Sequence, residues 1–125
     1  MRKAISLIAI KDEKILLVRK KETWILPGGK PDSEENDIEC LSRELSEELP
    51  ELSAVGDFKL YKSFIGQTPH KGDVIEVITY FGKIQGEIKT AMEISEALWI
   101  NNFDNIKLSD ITAKIINSLY EDKYL

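Results

Sequence analysis

Three glutamates within one short run constrain the fold of this chain more than any other feature. In Arg43-Glu44-Leu45-Ser46-Glu47-Glu48, the glutamates stand at positions i, i+3 and i+4. On a helix this spacing puts all three on one face, where like charges repel by roughly 0.2–0.5 kcal/mol per pair. A chain that gathers carboxylates in this way usually binds a counter-charge, and oxygen ligands suit Mg²⁺, Mn²⁺ or Ca²⁺.

The helix that carries the glutamates has a predicted start and a predicted apolar face. Asn36 is the expected N-cap, and Glu39, three residues later, completes a capping box. Apolar residues then recur at intervals of three, four and four, which predicts a core-facing stripe of Ile38, Leu41, Leu45 and Leu49. Arg43 is four residues from Glu39 and four from Glu47, so it can pair with either carboxylate.

The stretch from Gly29 to Glu51 resembles the Nudix box. That motif reads glycine, five residues, glutamate, seven residues, Arg-Glu, an aliphatic residue, any residue, Glu-Glu, any residue, glycine and an aliphatic residue. The positions in register here are Gly29, Glu35, Arg43, Glu44, Leu45, Glu47 and Glu48. Pro50 and Glu51 replace the closing glycine and aliphatic residue, and Glu34 stands where many members have glycine. Proline still ends a helix, but without the left-handed turn that glycine allows.

β-Branched and aromatic runs predict strands on both sides of this helix. The predicted strands are Ala4–Ile10, Ile15–Arg19, Trp24–Leu26, Phe58–Phe64, Val74–Ile84 and Leu98–Ile100, with the first two forming a hairpin. Residues 66–73 are predicted to form a loop. Ser109 or Asp110 can cap a final amphipathic helix that carries Ile111, Ile115, Ile116 and Leu119. This order predicts one α/β domain over residues 1–125 with helices on a mixed sheet. The resemblance implies the same, a Nudix-type α/β/α sandwich.

Composition limits the partners of the chain. The net charge of −5 argues against binding a nucleic-acid polymer, although small nucleotides stay possible because bound cations reverse the local charge. The single Cys40 excludes an internal disulfide framework and predicts a cytoplasmic location; it is expected to be a small buried hydrophobe. No secretory leader or membrane-spanning segment is expected. Monomer and homodimer are both compatible with the sequence.

The resemblance implies Mg²⁺-dependent hydrolysis of the pyrophosphate bond in a nucleoside diphosphate derivative, with Mn²⁺ as a possible substitute. Glu47 and Glu48 match the main metal ligands of the family. Glu44 matches a position that binds metal or orients the attacking water, and the carbonyl of Gly29 is expected to complete the coordination. Without the glycine pair Gly28-Gly29, the same glutamates would indicate a solvated helix face.

The resemblance also implies supporting roles for other residues of the box. Arg43 matches the arginine that holds the glutamates in place, and it is counted among the catalytic residues. Glu35 is expected to be a structural partner of Arg43, and Gly28 a structural part of the turn.

The general base stays open between the helix and a loop. Glu44 and Glu48 are the candidates on the helix. MutT-type members supply a further acidic residue before the last strand, where Glu93 is the first choice and Glu96 the second.

Several other residues have ordinary interpretations that compete with functional ones. His70, the only histidine, is expected to be an exposed loop residue, with a contact to phosphate or a role in acid–base chemistry as the alternatives. Three aromatic side chains are expected in core or sheet packing, although one of them could stack on a base: Trp24, Tyr80 and Trp99. Lys20 and Lys21 are expected to be surface charges rather than contacts to phosphate.

Substrate choice is predicted only in outline. The chain lacks the added N-terminal region common among ADP-ribose pyrophosphatases, and Trp24–Lys30 is similar to the MutT-type entry to the box. Both features favour a MutT-like enzyme that converts a nucleoside triphosphate to the monophosphate and pyrophosphate. ADP-ribose, a nucleotide sugar or a dinucleoside polyphosphate are the alternatives. A hypothesis of another class is a nucleotide-binding module without catalysis.

Overall fold

The computed structural model describes residues 2–67 and 73–125. In chain order the elements are β1 (Arg2–Ile8), β2 (Ile10–Lys11), β3 (Lys14–Lys20), β4 (Thr23–Ile25), β5 (Gly28–Gly29), α1 (Asp37–Glu48), β6 (Leu52–Gln67), β7 (Val74–Gly86), β8 (Ile94–Ile100) and α2 (Asp110–Glu121). Neither helix in this described part of the chain is long and apolar enough to cross a membrane.

The strands form two hydrogen-bonded groups. One has the order β5-β1-β7-β6, and the other has β3 between β2 and β4 with β8 also on β3. β1 and β7 run parallel, whereas the other strand pairs are antiparallel, so the strand arrangement is mixed. The parallel pairing puts Ile5 beside Ile78 and leaves the other side of β1 free for the short glycine strand β5.

Alternating side chains divide the interior into two cores, one under each helix. On β1, Ile5 and Leu7 face the core that contains α1, and Ile8 faces the core that contains α2. β3 alternates in the same way: Leu16 and Val18 face α1, while Ile15 and Leu17 face α2. Because strand side chains alternate between faces, the strands form a layer covered on both sides. The predicted α/β/α sandwich is therefore confirmed.

The predicted hairpin between the first two strands is wrong over most of its length. Only the tip pairs, where Ile10 and Lys11 lie beside Ile15 and Lys14 around a tight turn. β1 itself pairs with β7 and β5 instead. Neighbouring strands usually pair, but here the apolar surface of β1 is buried against a strand made much later.

Strand boundaries also differ from the predictions. Strands were expected at Phe58–Phe64 and Val74–Ile84, with a short strand at Leu98–Ile100, and the structure extends all three to β6, β7 and β8 as bounded above. Gly66 and Gln67, predicted to lie in a loop, form the end of β6, whereas residues 68–72 lie outside the described part of the chain. β6 is an edge strand, so polar and glycine residues are tolerated along it because half its backbone faces solvent.

The final helix confirms its prediction. Ser109 is the N-cap, and its side-chain oxygen accepts a hydrogen bond from the N–H of Thr112 at 3.2 Å. Ile115, Ile116 and Leu119 are buried in the α2-side core. Each fully buried side chain of this size contributes about 1.5–3 kcal/mol, so the apolar face holds α2 against the strands.

Candidate functional site

The glutamate helix begins and ends where local chemistry requires. The side chain of Asn36 accepts a hydrogen bond from the N–H of Glu39 at 2.8 Å, and the carboxylate of Glu39 accepts one from the N–H of Asn36 at 3.0 Å. This confirms the capping box. At the other end, Leu49 is the C-cap, and Pro50 follows in a turn that Leu52 closes onto the Leu49 carbonyl at 3.0 Å.

The predicted burial of one residue of the apolar stripe, Ile38, is wrong. Ile38 is 41% exposed, and the fully buried Cys40 packs in the α1-side core instead. Burial raises the pKa of the Cys40 thiol to about 11, which supports the interpretation of a structural hydrophobe.

The glycine pair that forms β5 lies directly against the carboxylates of α1. Gly28 has φ +142°, and a Cβ at this position would overlap the carbonyl oxygen of Ile5, so only glycine fits. Its N–H donates to Glu48 Oε1 at 3.1 Å. A Cβ on Gly29 would lie 2.5 Å from Glu44 Oε1, so the carboxylate approaches this backbone closely. The missing side chain of Gly29 therefore makes room for Glu44, and that of Gly28 lets the backbone approach β1.

Arg43 joins the carboxylates into one network. Its guanidinium donates to both oxygens of Glu35, at 2.6 and 2.9 Å, which is the bidentate geometry of strong ion pairs. The same side chain donates to Glu44 at 3.1 Å and to Glu47 at 3.3 Å. The predicted partners Glu35 and Glu47 are confirmed. Glu39 was the other possibility, but its carboxylate is used in the helix cap.

Burial and charge set different ionisation behaviour along the network. Burial raises the pKa of Glu48 to about 7, although the N–H of Gly28 opposes this by stabilising the charged form. Burial also raises the pKa of Glu44, against the effect of Arg43. For Glu35 the hydrogen bond from Arg43 lowers the pKa. Glu44 and Glu48, the two glutamates beside β5, are thus harder to ionise than an exposed glutamate unless a further positive charge binds nearby.

The carboxylates border a cleft of about 520 Å³. Its wall includes the glycine pair of β5 together with Glu44, Glu47 and Glu48. Further along, the wall is largely apolar and comes from β7 and α2: Ile75, Val77, Ile111 and Ile115. Lys20, Lys21 and Lys30 also line the cleft. The cleft therefore combines acidic, basic and apolar surfaces within a volume typical of small-molecule sites.

The two candidate loop acids lie in different surroundings. Glu93 immediately precedes β8 and lines the cleft, where its carboxylate pairs with Lys20 Nζ at 2.7 Å. Lys20 lowers the pKa of Glu93. The position of Glu96 as a loop residue is wrong: it lies within β8 and pairs with Arg19 at 3.1 Å. Of the two, only Glu93 shares the cleft with the glutamates of α1.

The three α1 carboxylates that border the cleft suit a divalent cation, although each one is hydrogen-bonded to Gly28 or Arg43. In residues 2–67 and 73–125, no three Asp, Glu, His or Cys side chains are already grouped as ligands of one ion. Arg43 engages Glu44 and Glu47, and Gly28 engages Glu48. All three carboxylates nevertheless border one cleft, and the space that a Cβ of Gly29 would fill lies against Glu44. These are hard oxygen donors of the kind that Mg²⁺ or Mn²⁺ prefers.

The other sequence candidates divide between packing and the cleft rim. Trp24 is buried in the α2-side core, Trp99 packs against the α1-side core, and Tyr80 donates to Asp37 at 2.7 Å. Lys20 was predicted to be a plain surface charge, but it pairs with Glu93 beside the cleft. No sequence signal links these two residues, since they are more than seventy positions apart. His70 lies outside the described residues.

Substitution of Gly29 by alanine tests the close approach to Glu44. The new Cβ would overlap the carboxylate, so we expect Glu44 to move and the hydrolysis implied by the Nudix-box resemblance to fall by about tenfold, since small misplacements of reacting groups are costly. Steady-state rates at saturating substrate would measure this. Gly56→Ala is not a suitable control because its φ is +75°; Gly66→Ala, next to the flexible end of Asp110, serves instead. An unchanged rate in Gly29→Ala would contradict the proposed contact.

Comparison with known proteins gives one family and many similar folds. A family model described as the NUDIX domain matches residues 1–117. No curated protein matches the chain. Among solved structures, the MutT NUDIX hydrolase from Burkholderia pseudomallei is 21% identical, with a TM-score of 0.78 over 93% of this chain and 95% of that one.

Two further structures show the same likeness. The MutT protein from Methanosarcina mazei Go1 is 18% identical, with a TM-score of 0.80 over 98% of this chain and 94% of that chain. An ADP-ribose pyrophosphatase from Streptococcus suis is 17% identical, with a TM-score of 0.70 over 98% and 92%. At these identities the likeness shows the fold alone.

Proposed function

This chain belongs to the NUDIX family, and we propose that it hydrolyses a nucleoside triphosphate to the monophosphate and pyrophosphate. Nudix enzymes are hydrolases of phosphorus-anhydride bonds in small nucleotides and generally use a divalent metal. The specific choice of a triphosphate, and of Mg²⁺ as the metal, is part of the proposal. We also propose that residues 1–125 form one domain, and we predict a monomer or homodimer located in the cytoplasm.

The cleft is the single observation that carries this proposal. Its carboxylates suit the phosphate end of a metal-bound nucleotide, and the apolar residues Ile75 and Val77 suit the nucleoside end. Lys20 and Lys30 line the same cleft and can offset phosphate charge. A substrate with a charged and an apolar end therefore matches both halves of the site.

In the proposed mechanism, Glu44, Glu47, Glu48 and the carbonyl of Gly29 would hold the metal. When bound, a divalent cation would neutralise phosphate charge and make water a better nucleophile. The chain's own part is positioning: Arg43 fixes Glu44 and Glu47 through direct hydrogen bonds. Phosphoryl substitution depends mainly on such positioning and on electrostatic stabilisation.

Glu93 is the proposed loop base, with Glu44 and Glu48 as the alternatives on α1. Its carboxylate borders the cleft, and the pairing with Lys20 keeps it ionised, although the lowered pKa makes it a weaker base than a carboxylate whose pKa lies near the working pH. We expect Glu93→Gln to lower the hydrolysis rate about tenfold or more at saturating substrate. Glu96→Gln is the matched control because Glu96 lies on β8 and pairs with Arg19 instead. Equal rates in the two variants would contradict Glu93 as the base and favour Glu44 or Glu48 on α1.

Proteins of similar structure suggest the alternative substrates. They include MutT proteins, an ADP-ribose pyrophosphatase and a UDP-X diphosphatase. We favour the triphosphate because Trp24–Lys30 is similar to the MutT-type entry to the box. ADP-ribose, nucleotide sugars and dinucleoside polyphosphates therefore form the comparison panel.

A panel assay tests the proposal directly. The full chain is incubated with nucleoside triphosphates, ADP-ribose, nucleotide sugars and dinucleoside polyphosphates, each with Mg²⁺, with Mn²⁺ and with EDTA. We expect metal-dependent release of pyrophosphate and a monophosphate from a triphosphate, with EDTA abolishing it. Faster cleavage of another class would replace the triphosphate as substrate. Nucleotide binding without cleavage of any compound would instead support the catalytically silent module.

A further inference from the structure

A second cavity, of about 500 Å³, lies on the α2 side of the strands, away from the carboxylates. The cleft uses the first part of β7 at Ile75 and Val77, whereas this cavity uses Phe81 and Lys83. At about 3.3 Å per strand residue, Val77 and Phe81 are roughly 13 Å apart along β7. The two cavities are therefore separate sites on the same strands.

The floor and walls of the second cavity are apolar. They come from β1, β2, β6, β7 and the C-terminal residues, and comprise Ile8, Ile10, Val55, Phe81 and Tyr124. Tyr124 is 51% exposed and Val55 is 43% exposed, so apolar surface is open to a ligand. The N–H of Tyr124 donates to the Leu119 carbonyl at 2.8 Å, which fixes this wall to the end of α2.

The rim of the cavity has a net positive charge in a chain of net charge −5. Lys59 and Lys83 line it, and neither forms an ion pair with any residue in 2–67 or 73–125. By contrast, the nearby Lys62 is held by Asp122 at 2.7 Å. Asp57 also lines the cavity, so two lysines face one carboxylate.

Strand register explains why both lysines reach this cavity. Lys59 pairs with Phe81, and Lys83 pairs with Val55. Directly paired residues of antiparallel strands share a face, so each lysine stands beside an apolar residue of the cavity wall. The long lysine stems can cover that apolar surface while their ammonium groups stay at the rim.

We propose that this cavity binds an amphipathic monoanion, specifically a medium-chain carboxylate. The apolar chain would lie against Ile8, Ile10 and Phe81, and the carboxylate would lie between Lys59 and Lys83. Asp57 disfavours a polyanion such as a nucleotide triphosphate. The Phe81 and Tyr124 rings pack on each other, with centroids 4.7 Å apart, so their faces favour an aliphatic chain over an inserted base.

Binding of decanoate to the full-length protein, measured by titration calorimetry at low salt, tests the proposal. We expect saturable binding that weakens with added salt, and roughly fourfold tighter binding for each added methylene from hexanoate to decanoate. Nonyltrimethylammonium has the same nine-carbon tail with the opposite charge and should bind at least about tenfold more weakly. No heat of binding at millimolar decanoate, or equal affinity for the cation, would overturn the proposal.

Matched variants locate the site. The double variant Lys59→Gln/Lys83→Gln should lower decanoate affinity about tenfold, whereas Lys89→Gln/Lys107→Gln removes the same charge elsewhere and should not. Val55→Ser should weaken binding, whereas Leu60→Ser, on the same strand but outside the cavity, should not. Unchanged affinity in both cavity variants would overturn the assignment. These readouts do not involve hydrolysis, so their failure and failure of the proposed hydrolase are separate outcomes.

Discussion

Replacing Glu48 by glutamine is expected to reduce nucleotide hydrolysis by at least about 10²-fold while leaving the fold intact, the scale of losing one key electrostatic group. Glutamine keeps an oxygen that can accept the hydrogen bond from the Gly28 N–H, so the turn against α1 should remain. The variant loses the charge needed to hold a divalent cation. Single-turnover rates with Mg²⁺, together with circular dichroism, would measure both effects.

The same substitution should raise stability at alkaline pH in EDTA. Burial raises the pKa of Glu48 from 4.5 to about 7, so between these values the folded protein holds a proton that the unfolded chain has lost. Stability therefore falls as pH rises through this window, and the loss is complete above it. At pH near 8 the glutamine variant should be more stable by about 1–3 kcal/mol. Denaturant unfolding at pH near 4 and near 8 would show the difference only at the higher value.

Glu51→Gln is the matched control for Glu48→Gln, because it removes one carboxylate just beyond α1 at an exposed position. It should change neither the rate nor the pH dependence of unfolding. Mg²⁺ should stabilise the native chain and Glu51→Gln at pH near 8, but not Glu48→Gln, because a ligand stabilises only the state that binds it. A fully active Glu48→Gln would remove this glutamate from the mechanism.

Substitution of Arg43 by alanine is the second large effect, with an expected fall of about 10²-fold in kcat. Arg43 is bonded to Glu35, Glu44 and Glu47, and without it the three carboxylates repel one another and lose their common anchor. Misplacing reacting groups by about 1 Å can cost this much. The variant should also unfold at a lower temperature. Arg43→Lys should recover little, because an ammonium cannot bond Glu35 in the bidentate manner.

Arg2→Ala provides the control for Arg43, since Arg2 forms an exposed ion pair with Asp73 at 3.2 Å. Exposed pairs contribute little, so both kcat and melting temperature should stay close to the native values. Combining Arg43→Ala with Glu35→Gln tests the pairing itself. If the two residues act as a unit, the double variant should be no slower than Arg43→Ala alone; a further independent loss would contradict this pairing.

Features controlled by nearby residues could be predicted from the sequence. Asn36 and Glu39 are three residues apart, and their reciprocal hydrogen bonds depend only on helix geometry. The same holds for Ser109 at the start of α2 and for the link between Arg43 and Glu47. The glycine pair was predicted to lie in a turn, but it forms the short strand β5 beside β1; the close backbone approach predicted for it is confirmed.

Features that depend on distant residues could not be predicted in this way. Helix periodicity placed Ile38 on the apolar stripe, but the folded structure leaves it 41% exposed and buries Cys40 instead. Glu93 was chosen by its position along the chain, and its partner Lys20 emerged only from the pairing of β3 with β8. The second cavity combines residues from four strands or loops and the C-terminus, so no local pattern indicates it.

Parallel pairing of β1 with β7 sets the order in which this chain can fold as it leaves the ribosome. Arg2 lies beside Ile75, so the first strand emerges more than seventy residues before its partner. Closing so long a loop before any contact forms makes this step slow, whereas β3 can join β4 early. Gly28 and Gly29 pair with β1 and touch Glu48 and Glu44. The carboxylate cluster should therefore be completed only late in synthesis, when β7 secures the strand beneath it.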